Sequence, residues 1–416
     1  MGSLDRPKLR PLSASRFERN GRLFVRFDDP AGVVSDPVLI PLDAYQQVVR
    51  HFDGRTTLLQ VRDRIRTETG QDVAISELVQ LVTQLDHAMV LDGPRFDAFH
   101  QTFRSGLVRP TALAGRSYPA SRDGLHAQLT TYFTHPGGSG LPMLAHRAAS
   151  SPTRVRGVLS PHIDFPRGGP IYTWAYRTLA EQCDAEVFVV LGVAHQPCVH
   201  RFALSRKDFD TPFGIIRTDR AFVDLLAQRA GEHLFDDELA HRTEHSIEFQ
   251  AVFLKYLYEQ RRDVALVPIL VGSFHDLMDA RIDPIRNAEV RRFVEALREA
   301  ERVSGKRVAY IGGIDLSHVG PEFGDPAPVD APQRDRLRRF DHAMLDRATA
   351  NDPRGWFETA ARVGNRWRVC GLAATYTMLH ALGPARGRLL KYDQAVDAQG
   401  HCCVTFASAV FEAERE

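Results

Sequence analysis

Apolar and polar residues alternate over residues 22–27, Arg-Leu-Phe-Val-Arg-Phe, with the two-residue period of a strand covered on one face. Between residues 41 and 91 the period changes, and apolar positions recur at helical spacing in three blocks. Asp53-Gly54 ends the first block, Thr56-Thr57 offers hydroxyl caps to the second, and Gly70 stops the second before Ile75 opens the third. Met89-Val90-Leu91 reads as a short strand or wing. The pattern predicts a small winged-helix-like α+β domain over residues 1–95. Charged, Ser- and Pro-rich sequence follows, which predicts a linker over 96–108 and a second domain over 109–416.

In the second domain the apolar signal becomes continuous. Residues 154–160, 185–193, 264–272 and 307–314 are short apolar runs bounded by glycine or polar residues, the pattern of strands covered on both faces. Helical patterns near 171–182, 219–230, 244–259 and 288–303 lie among them. This alternation predicts an α/β fold with a mainly parallel sheet sandwiched by helices. Two late strand patterns, 388–396 and 401–410, are expected to pair as an antiparallel edge.

Charge narrows the partners. Lys plus Arg number 53 against 52 Asp plus Glu, a net charge of +1, so neither nucleic acid nor an anionic membrane is favoured. Glu77, Gln80, Gln84 and Asp86 dominate the polar face of the third helical block, the reverse of a DNA-reading helix. The five cysteines are odd in number and scattered, without zinc-ribbon spacing, and fit a reducing cytoplasm. No apolar stretch follows the charges of the first eight residues, and Arg6 stands where a myristoylation signal wants Ser or Thr. No run elsewhere reaches membrane-spanning length, and the expectation is a soluble protein.

Candidate chemistry clusters where strands end. Three apolar runs lead into a histidine: Pro161-His162-Ile163-Asp164, Val193-Ala194-His195 and Asp315-Leu316-Ser317-His318. In a parallel α/β sheet the carboxyl ends open on one side, so these distant histidines can converge. A packing role is the ordinary one for each alone, but their coincidence at strand ends favours a metal or acid/base site. Cys370-Gly371 opens an apolar helix behind Arg366 and Arg368, where the helix dipole and the guanidinium groups favour a thiolate ligand or nucleophile. Cys402 and Cys403 fall in a strand pattern and fit inert packing. In Thr243-Glu244-His245-Ser246-Ile247-Glu248, Thr243 can cap a helix and Glu244 complements its dipole. His245 and Glu248, three apart on one face, suit a ligand or relay pair, with capping plus a single site contact the preferred reading.

In order, PHID, LGVAH, EHSIE, DLSH and CG resemble the motif series of the Memo family, protein B of the AmmeMemoRadiSam system, over about 300 residues. Residues 117–129 resemble that family's amino-terminal segment. The resemblance implies a fold similar to class III extradiol dioxygenases, with His162, His195 and Cys370 as metal ligands and Asp315, His318, Glu244 and His245 around them. Where many Memo proteins continue PHAGY, this chain has Pro161-His162-Ile163-Asp164-Phe165-Pro166-Arg167-Gly168-Gly169. Asp164 and Arg167 can hold a polar substrate or pair with each other. The earlier runs DGRTTLLQVRDRI and LVTQLDHAMVL resemble PqqD-like peptide-recognition domains.

Three functions follow from these readings. One is an oxidoreductase using Fe(II) or Cu, with Zn a further option, in which His318 or His245 moves protons. Another is a metal-binding or redox-buffering protein without turnover. The third is a peptide-binding partner of a radical SAM enzyme or other AmmeMemoRadiSam proteins, the substrate being a small molecule or a peptide.

Overall fold

The computed structural model describes residues 4–34, 36–143 and 155–414, so the extreme amino terminus read for targeting signals lies partly outside the described residues. The chain divides into two compact units, Met1–Gly106 and Leu107–Glu416.

The first unit holds β1 (Ser13–Arg19), β2 (Arg22–Asp28) and β3 (Val38–Pro41) in an antiparallel sheet of order β1-β2-β3. Asn20-Gly21, both at positive φ, make the two-residue loop that joins β1 to β2 with Arg19 facing Arg22. Such a loop demands φ above zero at both positions, which Asn-Gly supplies. Then come α1 (Leu42–Gln47), α2 (Leu58–Thr69), α3 (Ile75–His87) and α4 (Pro94–Ser105). Thr57 closes a capping box with Gln60, and Gly70 ends α2 in the left-handed region. Val25, Phe27, Ile40, Val61, Ile65, Val82 and Leu85 form the core.

Two expectations change here. Residues 96–105 are not a linker: Pro94 starts α4, as proline in the first helical turn commonly does, and the Arg10 guanidinium sits 4.2 Å over the Phe96 ring. The wing at 89–91 reduces to a single antiparallel bridge between Leu9 and Leu91.

The second unit begins with β4 (Val108–Arg109) and α5 (Arg122–Thr134). Next come β5 (Val155–Ser160), α6 (Phe165–Gln182), β6 (Val187–Val193), β7 (Phe202–Leu204), β8 (Asp208–Phe209) and β9 (Arg217–Thr218). The middle of the unit contains α7 (Arg220–Ala230), α8 (His245–Tyr258), β10 (Ala265–Val271), α9 (His275–Asp279), α10 (Ala288–Ser304), β11 (Val308–Gly313) and β12 (His318–Val319). It closes with α11 (Ala331–Thr349), α12 (Pro353–Ala361), α13 (Leu372–Leu382), β13 (Ala385–Val396) and β14 (Cys403–Ala413).

The large sheet runs β12-β14-β5-β11-β6-β10-β7, and its centre, β5-β11-β6-β10, is parallel. Side chains alternate across it. Val187, Val189 and Leu191 join one core with residues of α7, α10 and α13, while Phe188 and Val190 join the other with residues of α6 and α8. The chain is therefore α/β, a mainly parallel sheet between two helical layers. The late strands do pair antiparallel, but β14 is no edge: it also pairs with β5, and its first nine residues are buried, as an interior strand requires. Among the described residues no helix is long and apolar enough to cross a membrane.

Candidate metal centre

The carboxyl ends of β5, β6 and β11 deliver Ser160, Val193 and Gly313 to one side of the sheet, and α8 points its amino terminus at the same place. Close packing holds that helix there. The Ser246 hydroxyl accepts from the Val193 N–H (3.0 Å) and donates to the Val193 carbonyl (3.2 Å). One turn on, Gln250 donates to the Pro161 carbonyl (2.7 Å). A Cβ on Gly313 would lie 2.5 Å from the Ser246 carbonyl oxygen, so only glycine lets β11 approach so closely.

Three imidazoles meet in this space. The ring centroids of His162 stand 5.0 Å from those of both His195 and His245, and the latter two rings stack at 4.7 Å. One donor nitrogen from each can be chosen so that all three lie within 4.8 Å of one another. His162 is buried, His245 partly buried, and solvent reaches His195.

Hydrogen bonds orient two of these rings. His162 Nδ1 lies 2.9 Å from the Gly313 carbonyl, which can only accept, so Nδ1 carries the proton and Nε2 presents a lone pair. The same logic applies to His195, whose Nδ1 stands 3.1 Å from both oxygens of Glu244. Nε2 is thus the ring nitrogen each histidine has left for a ligand role; burial works to lower the His195 pKa, but Glu244 outweighs it and raises it, so a metal there would displace a proton. Glu244 also accepts from the backbone N–H of His195 (3.1 Å) and of Ser246 (3.0 Å), and His245 Nδ1 lies 3.1 Å from it. Burial alone would raise its pKa, but the bonds from His195 hold Glu244 well below the usual carboxylate range.

The remaining groups divide. Cys370 Sγ is 3.3 Å from His162 Nε2 and 3.6 Å from the Asp315 carbonyl oxygen, although it lies outside the three-histidine group. Burial and then the nearby Asp315 push its thiol well above the ordinary value. The expected arginine assistance is missing: Arg366 covers Trp367, and Arg368 serves Asp325 and the His318 carbonyl. Asp315 accepts from the His162 N–H (2.9 Å), and burial raises its carboxyl to about 7. His318 sits further out. Its Nδ1 donates to the Leu316 carbonyl (3.1 Å), its ring packs edge-on to Phe323, and burial lowers it to about 4.

The α8 motif is the part sequence reasoning divided incorrectly. Glu244 is the helix cap, accepting from Ser246, whereas Thr243 accepts from the Gln196 amide. Glu248 joins no metal ligand or relay: it takes Arg109, the Tyr118 hydroxyl and the N–H groups of Ala112 (3.0 Å) and Leu113 (3.0 Å). Arg109, fully buried, also donates to the carbonyls of His241 (2.9 Å) and Glu244 (2.9 Å). The segment from Arg109 to Tyr118 thus fastens the start of α8. Of it, the sequence marked only Tyr118, in the stretch 117–129.

A family model for Memo-like proteins matches residues 109–410. The chain belongs to the Memo family. It is 30% identical to a MEMO1 family protein of Methanopyrus kandleri over 313 residues, which take in 73% of this chain and 99% of that one. A MEMO1 family protein of Aquifex aeolicus is 28% identical over 405 residues, 93% of this chain and 99% of its own, so that alignment enters the first unit. One from Thermus thermophilus is 29% identical, with 83% and 96% covered.

Within this Memo unit, Asp164 and Arg167 take the self-paired option. Asp164 caps α6 and accepts from Arg167 Nε (2.7 Å), while Arg167 Nη1 lies 3.8 Å from Cys402 Sγ. Below His318, the Ser317 and Tyr392 hydroxyls each donate to buried Asp341 (2.7 Å), whose carboxyl burial pushes up to about 6. A carboxyl weaker in the folded state than its ordinary 3.8 stabilises below that value and loses the contribution as pH rises through 6. Wild-type stability is therefore expected to carry a falling component between those pH values, at most about 1.4 kcal/mol per pH unit for one proton. Urea titrations across that range should find the fall smaller in Asp341→Asn, the remainder belonging to Asp315, which burial raises to about 7.

Proposed function

We propose that this Memo protein is a metal-dependent redox protein whose ion is held by His162, His195 and Cys370, with His245 as an additional donor. The observation that carries the reading is the convergence of three imidazole donors within 4.8 Å, two of them with Nδ1 held by a protein acceptor so that Nε2 remains to meet the ion. Cys370 fits beside them. A nitrogen and a sulfur bound tetrahedrally to one ion, at about 2.0 and 2.3 Å, stand about 3.5 Å apart, close to the 3.3 Å between His162 Nε2 and Cys370 Sγ.

Imidazole and thiolate together suit Cu or Fe(II), with Zn compatible in geometry but without redox chemistry. A redox-active ion would supply one-electron chemistry at a centre open to solvent on the His195 side. The protein's own residues supply the rest. Glu244 fixes the His195 tautomer, Asp315 holds the loop of His162, and the partly buried Cys370 thiol, its pKa pushed up, needs a positive charge in the pocket before it ionises.

Turnover is favoured over storage by a cavity of about 480 Å³ that reaches His195 between the loops after β6 and β10. Size alone does not locate the chemistry: a hollow of about 650 Å³ lined by Arg156, Glu301 and Pro384 opens near the amino end of β5. The substrate class is a small polar molecule. Oxygen uptake by metal-loaded protein over a catechol and thiol panel tests turnover, and no uptake with any member would leave storage as the function. In copper-loaded protein a thiolate-to-metal absorption band is expected, and its persistence in Cys370→Ser would remove Cys370 from the ligand set.

A second reading concerns the first unit. Its outer strand β1 pairs only with β2 among the described residues, so one edge is open to an extended peptide. Peptide presentation to the metal centre or to a radical enzyme is tested by binding of peptides carried beside this gene, and no binding would remove it.

A further inference from the structure

The cavity that reaches His195 has a second histidine at its wall. His200 follows His195 by five residues in the loop after β6 and lines the same hollow. Its ring lies 4.7 Å, centroid to centroid, from that of His233, a separation equal to that of His195 and His245 in the buried cluster. Asp236 Oδ2 stands 3.3 Å from His200 Nε2. Two imidazoles and a carboxylate thus meet where chain segments from opposite sides of α7 come together.

The neighbourhood fixes these groups from behind. Asp237 accepts from the N–H of Val199 (3.0 Å) and of His200 (2.8 Å), which pins the loop. Gly231, at φ +126°, has no Cβ; one placed there would lie 2.4 Å from His233 Nδ1. Any side chain at 231 would push the His233 ring away from His200.

We propose that His200, His233 and Asp236 form a second site for a divalent transition metal, placed to capture the ion and pass it through the shared cavity to the buried centre. Two imidazoles with one carboxylate are a common donor set for Zn(II), Cu(II) and Fe(II). The site is weaker than the buried one. Its donors are not all within 4.8 Å of one another, so binding requires rotation of half-exposed side chains, whereas His162, His195 and His245 already converge. A low-affinity outer site beside a high-affinity inner one is the gradient that delivery needs. The relay rests on the metal-centre reading, but the outer site does not.

The test is equilibrium dialysis of metal-stripped full-length protein against Zn(II), with elemental analysis. Wild type is expected to bind two equivalents in separate phases, and His200→Ala/His233→Ala to lose the weaker one and keep the tighter. His162→Ala/His195→Ala is expected to keep the weaker alone. A wild type that binds a single equivalent lost only with His162 and His195, or a weaker phase that survives in His200→Ala/His233→Ala, overturns the outer site. A weaker phase lost on that substitution, with no tighter phase sensitive to His162 and His195, upholds the outer site and removes the inner one. Stopped-flow loading at limiting Zn(II) should be slower in His200→Ala/His233→Ala, and an unchanged rate overturns the relay.

Discussion

Replacing Arg109 by Met is expected to destabilise the Memo unit by about 3–5 kcal/mol, because it leaves the buried Glu248 carboxylate without its cation. Both side chains of the pair are fully buried, and Arg109 additionally satisfies the carbonyls of His241 and Glu244. The substitution therefore orphans acceptors as well as a charge. A methionine of similar reach refills the volume, so the loss reports electrostatics and hydrogen bonding more than a cavity. Removing the second charge in Arg109→Met/Glu248→Gln should restore part of the stability. Trp174, Trp356 and Trp367 are the protein's three tryptophans and all lie beyond residue 106, so fluorescence during urea unfolding reads the Memo unit by itself. A single substitution costing under about 1 kcal/mol would show that Arg109 is a bystander.

Glu244→Gln is expected to weaken metal affinity about 10- to 100-fold, the usual penalty for losing the partner that orients a histidine ligand. The two carboxylate oxygens take His195 Nδ1, the His195 N–H and the Ser246 N–H. An amide keeps one acceptor and turns the other into a donor that faces N–H groups. The His195 ring loses its fixed tautomer, while the fold keeps the helix cap through the remaining oxygen. Competition with a chromophoric chelator measures the affinity, and far-UV circular dichroism checks the fold. Equal affinities in the two proteins would contradict the role given to Glu244.

The sheet was legible in the sequence because the strands behind the site are buried on both faces and read as unbroken apolar runs. For the same reason β14 was hard to place. Its residues say that it is a strand covered on both sides, yet pairing with β5 comes from a chain segment 250 or more residues distant. The wing and the linker failed differently. Phe96 and its neighbours in α4 are only partly buried, so a weak helical stripe lay hidden among charged residues.

At the site, strand ends located His162 and His195, since their backbone position follows from the sheet. The place of His245 depended on the direction of α8, which Arg109, Ser246 and Gln250 set through contacts that no local pattern reveals. Glu248 shows the converse: three residues from His245 on the same helix, its carboxylate is instead taken by Arg109 and Tyr118. The caps were also exchanged, because Thr243 and Glu244 both suit the start of a helix and only tertiary contacts decide between them.

The most direct measurement is the metal content of full-length protein reconstituted with Fe(II) or Cu and passed through a desalting column. Wild type should retain tightly bound ion, and His162→Ala/His195→Ala should retain none at that position while keeping the wild-type circular dichroism spectrum. Metal content equal in the two proteins, with both folded, would contradict a metal centre at His162 and His195.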